Sequence, residues 1–491
     1  MSITSLAFAG FVLAVLMLYY VLPGKSQKFL LLAASYIFYI SWDWRFAITL
    51  ALVTVFNFFF SRSLRQLRSQ ETAPSAGGRS KKGKRLLWLG ILINLAALLF
   101  FKQSGFFLHG FQALLSRLGF PNQIGILEIL LPVGMSFYIL QAISFLVDTY
   151  QNQIPATVNF MDLALYLAYF PKLLSGPIER AGSFLPKLSE RVVVDNQRIT
   201  ESITRILIGL VRKIVIADVL AARIPANFFS SPSTFSSIEL IFWWIAYIIS
   251  LYNDFAGYTS IARGVSGLFG IELSPNFDNP FFSTSITELW NHWHMSLSQW
   301  LRNYVYMPLS RYMLRFNQSG RYLPNIIVPA LVTMVLSGLW HGESWNFVLW
   351  GALMGIWIAA ERIRTVYRPA GENLANLPPW HPRRIFSWAG FLIVIFLIAI
   401  PFKFDIANSI VFWRSLVTNW FPPPSLLGWR LPLIAFIPAI FIDWIQFGKH
   451  DELIFIRWKP IVQSVLLALC VLIIFLALHA EPAQQFIYQG F

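Results

Sequence analysis

Apolar residues in this chain come in long runs separated by short polar stretches. That pattern predicts helices buried in protein or lipid rather than half-solvated ones. Ile3 to Leu22 contains no charged residue and can span a hydrocarbon core of roughly 30 Å as a helix. Further runs are Phe29 to Ser41, Phe46 to Phe60, Leu86 to Phe101, Ile129 to Val147, Phe160 to Ile178, Ile206 to Leu220 and Leu240 to Ala262. Asn325 to Trp340, Trp345 to Ala360, Ser387 to Phe402, Leu431 to Ile445 and Ile461 to Leu478 complete the series. The expected fold class is therefore an all-α polytopic membrane protein of roughly 10–13 transmembrane helices, with re-entrant and interfacial helices around a tunnel. No cleavable signal is expected, because the first run starts without a basic n-region or a small-residue cleavage site. No period of 20 to 50 residues repeats, which argues against a solenoid and against the internal duplication common in transporters.

Several central runs are poor lipid-facing helices. Pro171, Lys172, Gly176 and Pro177 break Phe160 to Ile178, and Arg212, Lys213 and Asp218 interrupt the run after Ile206. Broken or charged backbone at membrane depth persists only where protein or a water-filled cavity surrounds it. The middle of the chain should enclose a polar chamber, and Phe160 to Ile178 is expected to be re-entrant.

Composition and charge refine this picture. The chain is 56% hydrophobic and 12% charged, against roughly 45–50% and 25% in soluble domains, and its mean hydropathy is +0.59. An ordinary soluble enzyme is excluded. The net charge of +15 sits in loops, where the positive-inside rule accounts for it, so no nucleic-acid partner is expected. Between Arg62 and Arg85 eight basic residues stand against Glu71 alone, and Glu361 to Arg384 carries Arg362, Arg364, Arg368, Arg383 and Arg384. Both loops are expected in the cytoplasm. ETAPSAGGRS inside the first has a disordered composition. Gly78 to Lys84 fits Gly-x4-Gly-Lys, but Arg85 replaces the Mg²⁺-binding hydroxyl and no strand precedes it. Cys470 is the only cysteine, so neither an intrachain disulfide nor a Cys₂ zinc site is available.

Three of the seven histidines stand where chemistry is plausible: His292, His294 and His341. His341 closes an apolar run in SGLWHGESW, and an ionisable group there is a functional hypothesis by default; a structural histidine bonded to a carbonyl also fits. Gly338, Gly342, Gly351 and Gly355 have the small-xxx-small spacing of close helix contacts. Read as one helix, Trp290 to Leu309 puts Asn291, His294, Ser298 and Arg302 on one stripe beside an aromatic face. That suits either a cavity lining or a membrane-surface helix. His292, His294 and Glu288 lack a fourth ligand and their spacing diverges on a helix, so no metal is expected. No histidine is followed by the Asp of an H-x4-D motif, and no Gly-x-Ser-x-Gly elbow occurs.

Two motifs, WHMSLSQWLRNY at Trp293 to Tyr304 and GLWHG at Gly338 to Gly342, resemble the signature of the membrane-bound O-acyltransferases. The likeness is to the bacterial branch typified by the membrane component of alginate O-acetylation. Supporting stretches are LLPVGMSFYILQAISFLVDTY from Leu130, FPKLLSGPIER from Phe170, YNDFAGYTSIARG from Tyr252 and NFDNPFFSTSITELW from Asn276. The resemblance implies a multi-helix tunnel fold with His341 as catalytic residue and His294 as second polar residue. The chain departs from the family pattern at Asn291 with His292, at Asn303 and at Ser260.

Transfer of an acyl group from a thioester to a hydroxyl needs a base near neutral pH, which suits an imidazole. His341 is read as general base and His294 as the group that orients a reactant or stabilises charge. Arg302, Ser298, Asn291, Trp340 and Asp254 are the expected substrate-binding residues. With no activated Ser or Cys beside the motifs, transfer is expected to be direct. No bound cofactor is expected; acetyl-CoA or another acyl thioester is the donor substrate. The acceptor would be an exopolysaccharide or cell-envelope glycan, reached directly or through a periplasmic or extracellular acetyltransferase partner, from a multi-pass position in the inner (cytoplasmic) membrane among its lipids. One alternative is D-alanyl transfer from a carrier protein to teichoic acid. Another is a polysaccharide or lipid transporter using Asp148, Asp218, Asp254 and Lys172. The chain is expected to form a single membrane domain over 1–491, with a basic loop at 62–85, a catalytic core at 130–360 and C-terminal helices at 386–479.

Overall fold

The computed structural model describes residues 1–69, 81–102, 116, 131–189, 194–319, 322–367, 377–378, 381–423 and 426–480. ETAPSAGGRS, the start of the Gly-x4-Gly-Lys match, His109 and residues 368–376 of the second basic loop lie outside them.

All regular structure among the described residues is helical. The helices are α1 (Leu6–Val21), α2 (Gly24–Ile40), α3 (Trp44–Ser69), α4 (Lys81–Lys102), α5 (Met135–Tyr150), α6 (Phe160–Ala168), α7 (Phe170–Leu173), α8 (Ala181–Ser189), α9 (Asn196–Leu210) and α10 (Val219–Arg223). They continue with α11 (Ser237–Leu268), α12 (Ile286–His292), α13 (Met295–Leu301), α14 (Met307–Met313), α15 (Leu323–His341), α16 (Trp345–Tyr367), α17 (Pro382–Ile398), α18 (Ile406–Thr418), α19 (Arg430–Lys449) and α20 (Pro460–Ala480). Seven helical stretches among the described residues are long and apolar enough to cross a membrane, and they include α3, α4, α11, α15 and α19. The expected polytopic all-α class is what the structure shows.

The chain divides into two compact units, Met1–Ile199 with Val265–Leu273, and Thr200–Gly264 with Ser274–Phe491. In the first unit, Asn57 on α3 and Asn94 on α4 exchange side-chain amide hydrogen bonds at 3.0 Å in both directions. Such an interhelical pair satisfies polar groups that lipid cannot. The run from Phe160 breaks as its prolines predict. α6 starts on an Asn159/Asp162 capping box and stops at Ala168, and Pro171 then sits in the short α7. Gly134, at φ +79°, precedes α5 where an added Cβ would meet the Leu173 carbonyl. Lys172 in this unit is fully buried, donates to Gln141 and to the Tyr166 carbonyl, and lies 5.2 Å from the Phe184 ring centroid.

In the second unit the charges after Ile206 do not interrupt the helix. α9 runs through a π-helical stretch, Val211–Asp218, into α10. The wider turn carries Arg212 and Lys213 side by side, and each finds acids inside the protein. Lys213 Nζ lies 2.7 Å from both Asp218 and Asp254. Arg212 pairs with Asp443 on α19 and donates to Asn253 and Gln446 at 2.9 and 3.1 Å. Buried charges are tolerable only when paired in this way. α15 and α16 form an antiparallel hairpin pressed together at glycines. A Cβ at Gly338 would meet the Phe347 carbonyl and one at Gly351 the Met334 carbonyl, as the small-residue spacing predicts.

Candidate active site

His341 is the last residue of α15, and Gly342, extended at φ −165°, ends the helix. Its imidazole is buried among aromatic rings, with centroids 4.8 Å from Trp340, 5.5 Å from Trp350 on α16 and 5.0 Å from Phe402, all near perpendicular. Those rings shield the imidazole from water at the carbonyl end of the helix.

The segment around His294 departs from the single helix that the Trp290 to Leu309 pattern predicts. α12, capped by Ser285 on Glu288, stops at His292, and His294 adopts φ +42°, ψ +51° before α13 begins. Left-handed backbone is uncommon for a residue with a Cβ and persists only where surroundings fix it. Here the fixing agent is the extended stretch of backbone at 276–278. Met295 donates to the Asn276 carbonyl at 2.8 Å and Asp278 donates to the His292 carbonyl at 3.0 Å. The break rotates the predicted stripe apart. Asn291 is left exposed, His294 becomes buried, and Arg302 opens a π-helical stretch to Tyr306 with its side chain exposed. Ser298, half-buried, donates to the Trp293 carbonyl at 3.1 Å.

The buried His294 ring packs against Phe255 of α11 at 4.7 Å and Phe277 at 6.4 Å. Burial pulls its pKa well below the ordinary imidazole value, which keeps the ring neutral. Its Nδ1 is 3.0 Å from Asn276 Oδ1, which also accepts from the Ser296 N–H at 3.2 Å and hydroxyl at 2.8 Å. Trp340 joins the two motifs, its indole 6.1 Å from the His294 ring and 4.8 Å from the His341 ring. Two histidines far apart in sequence thus share one aromatic wall. Asp254 is placed differently, on Lys213 in the ionic cluster, as is Asp218.

A polar cleft of about 530 Å³, part of it open to solvent, adjoins this site through Asn276. Arg205, Arg212, Arg263, Tyr252 and Glu452 are among its lining residues. Glu452 takes Arg205 at 3.0 Å and also pairs with Arg263. Burial pushes the Glu452 carboxyl up, but the two guanidiniums outweigh it and leave it below the usual range. The cleft lies where α19 ends. At that end Arg384 sits 5.9 Å over Phe447, and Glu361 accepts from the Ile286 N–H at 2.9 Å. These are the anchors of the second basic loop. Beside them His292 pairs with Asp278 at 3.2 Å; the hydrogen bond to Asp278 raises the imidazole pKa, and in return His292 lowers that of the carboxyl.

Sequence reasoning passed over Asn276, Asp443, Tyr252 and Glu452. Asp443 had a signal, as a lone acid inside the apolar run from Leu431 to Ile445. Asn276 carried none, because its partners come from 18 to 20 residues away across a non-helical turn. Among the described residues no group of three or more His, Cys, Asp or Glu is arranged to hold a metal.

Comparison with known proteins agrees with the motifs. Residues 13–400 match the sequence profile of the membrane-bound O-acyltransferase family, MBOAT. A probable alginate O-acetylase AlgI of Azotobacter vinelandii is 36% identical over 345 residues, 70% of this chain and 65% of the relative. The matched part therefore spans slightly less than two thirds of that protein. A peptidoglycan O-acetyltransferase of Helicobacter pylori is 31% identical, over 70% of this chain and 67% of the relative. A teichoic acid D-alanyltransferase of Streptococcus thermophilus is 28% identical, over 51% and 62%.

Proposed function

Because the chain belongs to the membrane-bound O-acyltransferase family, we propose that it moves an acyl group, acetyl in our reading, from a cytoplasmic thioester to hydroxyls of an exopolysaccharide or envelope glycan. The single observation that carries this reading is the pair of buried imidazoles, His294 and His341, meeting at the Trp340 indole. His341 takes the proton of the attacking hydroxyl as its oxygen bonds to the thioester carbonyl carbon. The tetrahedral intermediate then expels the thiolate, which receives that proton from His341. His294, neutral and held by Asn276, orients a reactant and stabilises charge that develops beside it. The thioester is a substrate, and the chemistry asks for no bound cofactor or metal.

The arginine-bearing cleft supports donor entry from the side of the second basic loop, which the positive-inside rule assigns to the cytoplasm. Higher identity to O-acetylating relatives than to the D-alanylating one supports acetyl over D-alanyl. The glycan is reached directly or through an acetyltransferase partner outside the inner membrane. Purified protein in nanodiscs with labelled acetyl-CoA tests the reading. Wild type should release free CoA with label appearing in acceptor or water, and His341→Ala should not; equal turnover by both proteins refutes it. Cysteines introduced as Ser75→Cys and Gly371→Cys should resist impermeant reagents added outside intact cells, and labelling of either overturns the donor route.

A further inference from the structure

Asn276 is an unexpected centre of this site. It is 1% exposed, its carbonyl oxygen Oδ1 takes three contacts, and its amide nitrogen Nδ2 is buried with no hydrogen-bond partner among the described residues while the residue lines the polar cleft. The orientation of an asparagine amide follows from its partners. The Ser296 backbone N–H, 3.2 Å away, can only donate, so the atom facing it must be the acceptor Oδ1. That same oxygen is 3.0 Å from His294 Nδ1. A carbonyl oxygen cannot donate, so the imidazole must. In a neutral ring the proton then sits on Nδ1, and Nε2 carries the lone pair.

We propose that Asn276 is a positioning residue that locks His294 as the Nδ1–H tautomer, so that Nε2 is the atom that accepts a hydrogen bond from a reactant. The lock is rigid because the backbone of the same residue takes part. The Met295 N–H to Asn276 carbonyl bond sits next to the side-chain contacts, and together they hold His294 in its left-handed turn. This inference deepens the proposed function by naming how its second histidine is set. It rests on that reading for the catalytic role of His294, but not for the tautomer.

Nitrogen NMR of ¹⁵N-histidine-labelled protein in nanodiscs, with the His294 signals assigned by their loss in His294→Gln, reads the tautomer without any turnover. Wild type should show a protonated Nδ1 and a bare Nε2. Asn276→Asp should keep that pattern, since a carboxylate also only accepts, and Ser296→Ala should keep it as well. Asn276→Ala should give a mixture of tautomers and lower kcat by about 10²-fold, the scale of misplaced catalytic groups, with KM for the thioester changed far less. A wild-type Nε2–H signal overturns the proposal, as does an Asn276→Ala protein with unchanged tautomer and kcat. If His294→Ala retains full activity while wild type shows Nδ1–H, the tautomer lock stands and the catalytic reading of His294 fails instead. If His294→Ala is inactive but Asn276→Ala is unchanged in both readouts, the lock fails and the proposed function stands.

Discussion

The two histidines sit on opposite kinds of scaffold. His341 ends a regular helix, and its ring packs between aromatic residues on α15, α16 and the turn at Phe402. His294 sits on a broken segment whose backbone is left-handed, and it is held by hydrogen bonds to a distant asparagine. Ring packing confines an imidazole in space, whereas a carbonyl acceptor at Nδ1 also selects the tautomer of a neutral ring, and burial keeps the His294 ring uncharged. The first scaffold carries the group read as the general base. The second suits a group that must stay neutral and point one way.

The largest effect expected from that contrast is on His341. His341→Ala should lower acyl transfer by about 10²–10⁴-fold, the span of a lost general base, while membrane insertion stays intact. His294→Ala should cost somewhat less, about 10²–10³-fold, because orientation and electrostatic support are typically of that size. Rates measured on both variants sharpen the comparison, and the reverse order would mean that the roles are exchanged.

A smaller effect separates packing from hydrogen bonding. Gly351→Val places a branched side chain against the Met334 carbonyl across the α15–α16 contact. It should destabilise the hairpin by about 1–3 kcal/mol, as overpacking does, and disturb His341 before His294. Thermal unfolding in detergent with His341→Ala as reference checks this, and an unchanged midpoint contradicts the close contact.

The smallest effect is one of pH. His292 has its pKa raised in the folded protein by Asp278, so its contribution is complete below the unfolded value of about 6.5 and is lost as pH rises through the folded pKa. Asp278 has its pKa lowered, so its contribution is complete above its unfolded value of about 3.9 and is lost as pH falls through the folded one. Stability should therefore carry a shallow plateau between those limits that His292→Ala removes. The pair is partly exposed, so the change is small. A stability profile identical in wild type and His292→Ala removes the pair from the account.

What the sequence made legible follows the same division. Continuous apolar runs gave the polytopic helical class, and glycine spacing gave the α15–α16 contact, because helix periodicity and close approach are local properties. The prolines between Phe170 and Ile178 announced the break after α6. The break at His294 was hidden, since WNHWHMSLSQW fits a helix well and only the pairing with 276–278 opposes it. The ionic cluster was half visible. Arg212 and Lys213 stood out as charges in an apolar run, but their partners Asp254 and Asp443 come from two other helices, a relation no periodicity encodes.

The central claim is that His294 and His341 act on the same acyl-transfer step. The most direct test is a double-mutant cycle on the turnover of labelled acetyl-CoA in nanodiscs, using His294→Ala, His341→Ala and the double variant. Residues that act as a unit are strongly non-additive, so the double variant should be no slower than the worse single one. Losses that multiply, with the double variant slower by the product of the two single effects, would contradict a shared site.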